Sequence, residues 1–158
     1  MANPHQPVKD VTTESTETGR LFIPALAPLY GCLAGLAYPL IRIVWGLLLV
    51  FAGWSKLTGP MFERDAALLH GMGWEPAVAL MWFITALEFV GGAMLTIGLL
   101  TRPIAVAVFI QMMVITFVVP HPSGRFDTFA FVWGLMALAI SWRGGGPCSL
   151  DRLIGKEF

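Results

Sequence analysis

Arg42 and Glu88 stand inside apolar segments about as long as a bilayer is thick, and nothing else in the chain limits its fold as much. Four such segments divide residues 39–142. They run from about Pro39 to Lys56 around Arg42, from Ala77 to Leu100 around Glu88, from Ile104 to Val119 around Gln111, and from Phe126 to Trp142. A hydrocarbon core of about 30 Å takes ~20 helical residues, with roughly 17–25 tolerated, so the last two need their flanks to cross. Lipid offers no partner to a backbone N–H or C=O, so each segment is expected to be a helix. Charged residues make up 13% of the chain, about half of what a soluble domain carries. The expected fold is all-α, an integral membrane four-helix up-down bundle with an N-terminal interfacial segment.

The flanks set the boundaries. Residues 1–20 are rich in Pro, Thr and Glu and predict a disordered cytoplasmic tail. Residues 21–38 are apolar but carry Pro24 and Pro28, which predicts a segment that lies at the interface or lengthens the first helix. Residues 39–145 then form the bundle and 146–158 a cytoplasmic C-terminal tail. Lys9, Arg20, Arg102, Arg143, Arg152 and Lys156 fall on one side, against Lys56, Arg64 and Arg125 on the other. The positive-inside rule therefore places both termini in the cytoplasm and the 57–76 loop outside. Ten Lys+Arg against ten Asp+Glu leave no net charge, which excludes a nucleic-acid partner. Cys32 and Cys148 make no C-x-x-C and fall on the reducing side, so no disulfide, metal, haem or flavin motif is expected.

Small and polar residues recur at helical spacing on one stripe of each segment. The stripes are Arg42, Gly46, Leu49, Gly53 and Lys56; Met81, Thr85, Glu88, Gly92 and Thr96; Ala107, Gln111, Val114, Val118 and His121; and Asp127, Ala130, Gly134, Ala137 and Ser141. These faces are expected to meet inside the bundle. With Leu57 level with Ala77, Glu88 falls opposite Trp45–Gly46, and Arg42 lies about one turn, ~6 Å, away. A lone charge at mid-bilayer costs at least ~2.5–3.5 kcal/mol, so an Arg42–Glu88 pair is expected, with Trp45 placed to stack on the guanidinium. Such a pair either fixes helix register or polarises a ligand and relays protons. Lys56 reads as an interface anchor and Gln111 as a hydrogen bond between helices. His121, between Pro120 and Pro122, is either a turn residue or, oriented by Asp127, a proton or quinone partner.

The motifs resemble those of the DoxX family. The span Arg42-Ile-Val-Trp-Gly…Ala-Gly-Trp-Ser-Lys56 is similar to that family's opening helix, and Glu88-Phe-Val-Gly-Gly92 with Gly98-Leu-Leu-Thr-Arg102 to its second. His121 and the closing Gly144-Gly-Gly-Pro-Cys-Ser149-Leu-Asp151 also fit, so the likeness covers about residues 38–155. It implies a small four-helix protein of the bacterial or archaeal cytoplasmic membrane, akin to the membrane subunit of thiosulfate:quinone oxidoreductase. Carried over by position, the motif residues are Arg42, Gly53, Lys56, Glu88, Gly92, His121, Ser149 and Asp151. The expected function is a subunit of a membrane redox complex, not self-sufficient as an enzyme. It would dock partner proteins and hold a quinone by Arg42, Glu88 or His121 in an apolar cleft. A non-catalytic structural or assembly subunit is the competing expectation; with no inverted repeat, transport is the least favoured.

Overall fold

The computed structural model describes residues 27–120, 124–146 and 148–155, with side chains from Gly35 onward. Residues 1–34 and 35–158 form separate units. The described part of the first is the helical stretch 27–34, where helix α1 begins; every side-chain contact given below lies in the second. The expected 1–20 tail lies outside the described residues.

The described residues are all-α. Helix α1 (Ala27–Thr58) begins well before the expected Pro39. Pro28 does not break it, because a proline in the first turn removes an N–H that has no helical partner anyway. Pro39 lies inside the helix. A short helix α2 (Met61–Gly71) follows, then α3 (Ala77–Ala86), a π-helical turn (Leu87–Gly91) and α4 (Gly92–Ile97) in one continuous rod. The remainder is α5 (Thr101–Phe117), α6 (Thr128–Arg143) and the single turn α7 (Leu150–Leu153). Two stretches, Gly35–Thr58 and Ala77–Ile97, are long and apolar enough to cross a membrane; α5 and α6 are apolar but shorter.

Neighbouring rods run antiparallel. Gly46 of α1 meets Gly92 and Thr96, while Gly53 meets Phe89. Gln111 of α5 reaches Glu88, and Gly91 faces Ile104. Gly134 of α6 packs on Met112 and Met113, and Trp133 lies 5.8 Å from Trp45, which closes the ring between α6 and α1. Helix α1 and the α3–α4 rod approach backbone to backbone: a Cβ on Gly92 would come within 2.8 Å of the Gly46 carbonyl oxygen, and one on Gly53 within 2.6 Å of Phe89 N. Only glycine allows helices to meet so tightly.

Three of the four expected stripes are buried as read, with Arg42, Leu49, Met81, Thr85, Glu88, Ala130 and Ala137 among the most enclosed residues. On α5 the inward face differs. It is Thr101, Ala105, Val108, Gln111, Met112 and Thr116, and Val118 is exposed. The outward faces are densely apolar, with Leu40, Val44, Phe51, Phe129 and Val132 exposed. Such a belt is what a helix presents to lipid.

The connection at residues 59–76 is not a simple loop. Ala66 and Leu69 of α2 bury against Ala77 and Met81 of α3, so α2 packs along the start of the rod. Just before α3, Glu75 accepts from the Ala77 N–H at 3.2 Å and contacts the His70 ring. The hydrogen bond from His70 holds the Glu75 carboxyl below its ordinary range.

Candidate functional site

The intramembrane charges separate into two centres at opposite ends of α1. Arg42 and Lys56 are about 21 Å apart along the axis at 1.5 Å per residue.

At the Lys56 end lies the ion pair. Glu88 is buried on the π turn, and its two carboxylate oxygens accept from the Lys56 ammonium at 2.6 and 2.5 Å. Glu88 Oε1 also accepts from Gln111 Nε2 at 2.7 Å. A carboxylate offers acceptors only, so this contact fixes the amide: nitrogen toward Glu88, oxygen away from it. That oxygen, Gln111 Oε1, is buried and has no partner among the described residues. A buried acceptor left unpaired costs about 1–3 kcal/mol.

Beside the trio is a cavity of about 360 Å³. Its walls come from α2, α3, the π turn, α5 and the end of α1; Lys56, Asp65 and Gln111 are the ionisable or amide groups among side chains that are otherwise apolar. Phe83 and Ile110 line it and are 63% and 56% exposed, so the cavity reaches the outward faces of α3 and α5. A mouth between two apolar faces admits a molecule dissolved in the bilayer more readily than one in water. The volume falls within the roughly 300–1,000 Å³ of small-molecule sites, which are likewise apolar with few polar groups.

The Arg42 centre is turned onto the chain's own backbone, with Nε buried and unpaired among the described residues. Its guanidinium donates from Nη1 to the Gly145 carbonyl and from Nη2 to the Cys148 carbonyl, the latter at 2.7 Å. Tyr38 donates to the Gly144 carbonyl beside it, and Arg143 lies over the Tyr38 ring. Asp151 completes the clasp: its carboxylate accepts from Leu100 N, Thr101 N and Thr101 Oγ1 at 2.8–3.1 Å. This caps the start of α5 and holds Leu100 at φ +48°, a left-handed conformation that costs a non-glycine residue about 1–2 kcal/mol. Gly98, at φ +74°, leaves no room for a side chain: a Cβ there would lie 2.5 Å from Arg42 Nη1. Ser149 caps α7 through Arg152 N, and Asp127 caps α6 through Ala130 N.

These contacts overturn the expected Arg42–Glu88 pair. Phe89 sits against Gly53, so Glu88 is about two turns from the expected position opposite Trp45–Gly46. The assumption that Leu57 lies level with Ala77 fails because α2 occupies the connection and lets α3 start further out. Lys56 is accordingly Glu88's partner and not an interface anchor, and Trp45 packs on Trp133 instead of the guanidinium. A signal for Lys56 was present, since it shares a stripe with Arg42 and Gly53. Of the three residues expected to hold a quinone, Glu88 does not itself line the cavity but bonds Lys56 and Gln111, which do, and Arg42 lies at the far end of α1. His121 lies outside the described residues. Gln111 is where its stripe placed it, bonded between helices, and Gly53 and Gly92 are the close-contact positions of α1 and α4. Asp65 and the π turn carried no sequence signal: a carboxylate on a polar eleven-residue helix reads as solvated surface, and π geometry has no composition of its own.

Among models of protein families, DoxX matches residues 37–121, more than half of the chain. The match takes in Arg42, Gly53, Lys56, Glu88, Gly92 and Gln111 and ends short of Ser149 and Asp151. No curated protein and no solved structure matches.

Proposed function

Because the chain belongs to the DoxX family, we propose that this helical membrane protein is a subunit of a membrane redox complex that holds a quinone headgroup in the cavity beside Lys56, Glu88 and Gln111. The observation that carries this is the unpartnered Gln111 oxygen on a residue lining an apolar cavity whose mouth is built from lipid-facing side chains. The residues fit the group. Lys56 has three N–H donors, two of which go to Glu88, and the third is free to meet a carbonyl oxygen. Gln111 Oε1, buried and unpaired, would have to turn toward the cavity to accept from the hydroxyl of the reduced form. When bound, a quinone would supply two-electron, two-proton chemistry; the chain's own residues orient it and keep one cation close to it.

The subunit docks protein partners that supply or remove electrons, in keeping with a sequence that carries no C-x-x-C, haem or flavin motif. All four apolar rods cross the membrane, with α5 and α6 completed by flanking residues. Both termini face the cytoplasm of a bacterial or archaeal cell, the side to which the exposed Arg102, Arg143 and Arg152 belong.

The test is saturable binding of a short-chain quinone analogue by the purified protein in lipid nanodiscs. Ala107→Phe puts a ring into the cavity one helical turn from Gln111 and is expected to abolish binding while leaving thermal unfolding near that of the parent. Gln111→Leu is expected to weaken it about tenfold, the equivalent of one hydrogen bond at ~1.4 kcal/mol. Unsaturable partitioning, equal in the parent and Ala107→Phe, would refute quinone binding and leave an assembly subunit as the function.

A further inference from the structure

A second cavity, of about 170 Å³, adjoins the first. Asp65 and Leu68 of α2, with Ile115 and Val119 at the end of α5, wall both. The outer cavity is completed by Arg64, Pro120 and Asp127, so charged side chains form a larger share of its walls than of the inner one's. At about 30 Å³ per molecule in the liquid, it has room for a small cluster of waters. Two carboxylates against one guanidinium bias its field toward cations.

A buried ammonium–carboxylate pair exchanges protons only if water can reach it, and the lipid-facing mouth offers none. We infer that the outer cavity is a water-filled vestibule that brings water and protons to the Lys56–Glu88 pair from the membrane face where α2 lies, with Asp65 positioned in the wall common to both chambers. The inference goes beyond quinone binding and holds whether or not a quinone enters the inner cavity.

The test uses the full chain in membrane vesicles, with Cys32→Ser and Cys148→Ser as background. Ile115→Cys and Val119→Cys line both chambers, and Leu68→Cys is a third position should either disturb packing. Val44→Cys, exposed on the apolar outer face of α1, is the lipid-facing control. Thiolates react and thiols in lipid do not, so a permanently charged, water-soluble methanethiosulfonate is expected to label the cavity positions about tenfold faster than the control, or more. The cationic reagent should outpace its anionic counterpart there, and Asp65→Asn should bring the two rates together while leaving a neutral reagent's rate unchanged. Labelling no faster than at Val44→Cys at all three positions overturns the vestibule. A cation preference unaltered by Asp65→Asn removes Asp65 from it. Because the readout is the rate of thiol labelling and not quinone binding, neither result depends on the binding experiment.

Discussion

Lys56 and Glu88 are unequal partners. The Glu88 side chain is 3% exposed and that of Lys56 14%, so the acid is held inside while the lysine stem lies near the end of its helix. Removing the lysine leaves an uncompensated carboxylate in an apolar setting, a change that costs about 3–5 kcal/mol in buried pairs. Removing the acid leaves an ammonium on a flexible stem that can swing toward the interface. Lys56→Met is therefore expected to lower the thermal midpoint in detergent clearly more than Glu88→Gln does. Lys56→Met combined with Glu88→Leu should recover most of the loss. Equal effects from the two single substitutions would contradict this asymmetry. The residue-scale pattern was legible in part. Intramembrane ionisable residues had to be buried and partnered: Glu88 is paired with Lys56, while Arg42 is held by backbone carbonyls in place of the expected acid. Which cation faced the acid depended on the register of two helices, and no side chain encodes that.

At the scale of the elements, the stripes of α1, the α3–α4 rod and α6 could be read directly, because small and polar residues at helical spacing have no other use in lipid. The α5 face was harder. Its residues are nearly all apolar, so hydrophobicity does not separate the packed side from the lipid side, and Gln111 alone could not fix the angle. The junction of α4 and α5 is the most constrained element boundary, since Asp151 satisfies three donors that α5 cannot satisfy internally. Asp151→Ala should cost about 2–3 kcal/mol, measured by chemical unfolding, because the orphaned donors are buried. Asp151→Asn should cost less, as the amide oxygen keeps one acceptor in place. Exchange of the Leu100 and Thr101 amides with deuterated water should rise in both variants before exchange in the centre of α5 does.

Across the whole molecule, the two charged centres mark opposite ends of the ring. Each centre keeps one buried polar atom without a partner among the described residues, Arg42 Nε in the clasp and Gln111 Oε1 beside Lys56, and only the Lys56 centre borders a cavity of about 360 Å³. The exposed thiol of Cys148 belongs to the clasp end. An impermeant thiol reagent is expected to modify it in inside-out vesicles and to spare it in right-side-out ones; the reverse would turn the protein over in the membrane. The fold class followed from apolar length and scarce charge. The cavity did not, because its walls are separate residues of α2, α3 and α5 that look like ordinary packing until the offset of α2 leaves a gap between them. The π turn has a consequence for all of these. One surplus residue in a helix shifts everything beyond it by roughly 100° of rotation. The rod carrying Glu88 thus works as two keys cut at different angles on one shaft. Its first half is turned to the lysine and the amide, and its second to the bare backbone of Gly46. Excising a single residue from Leu87–Gly91 would force the two halves back into phase, and one of the two locks would no longer open.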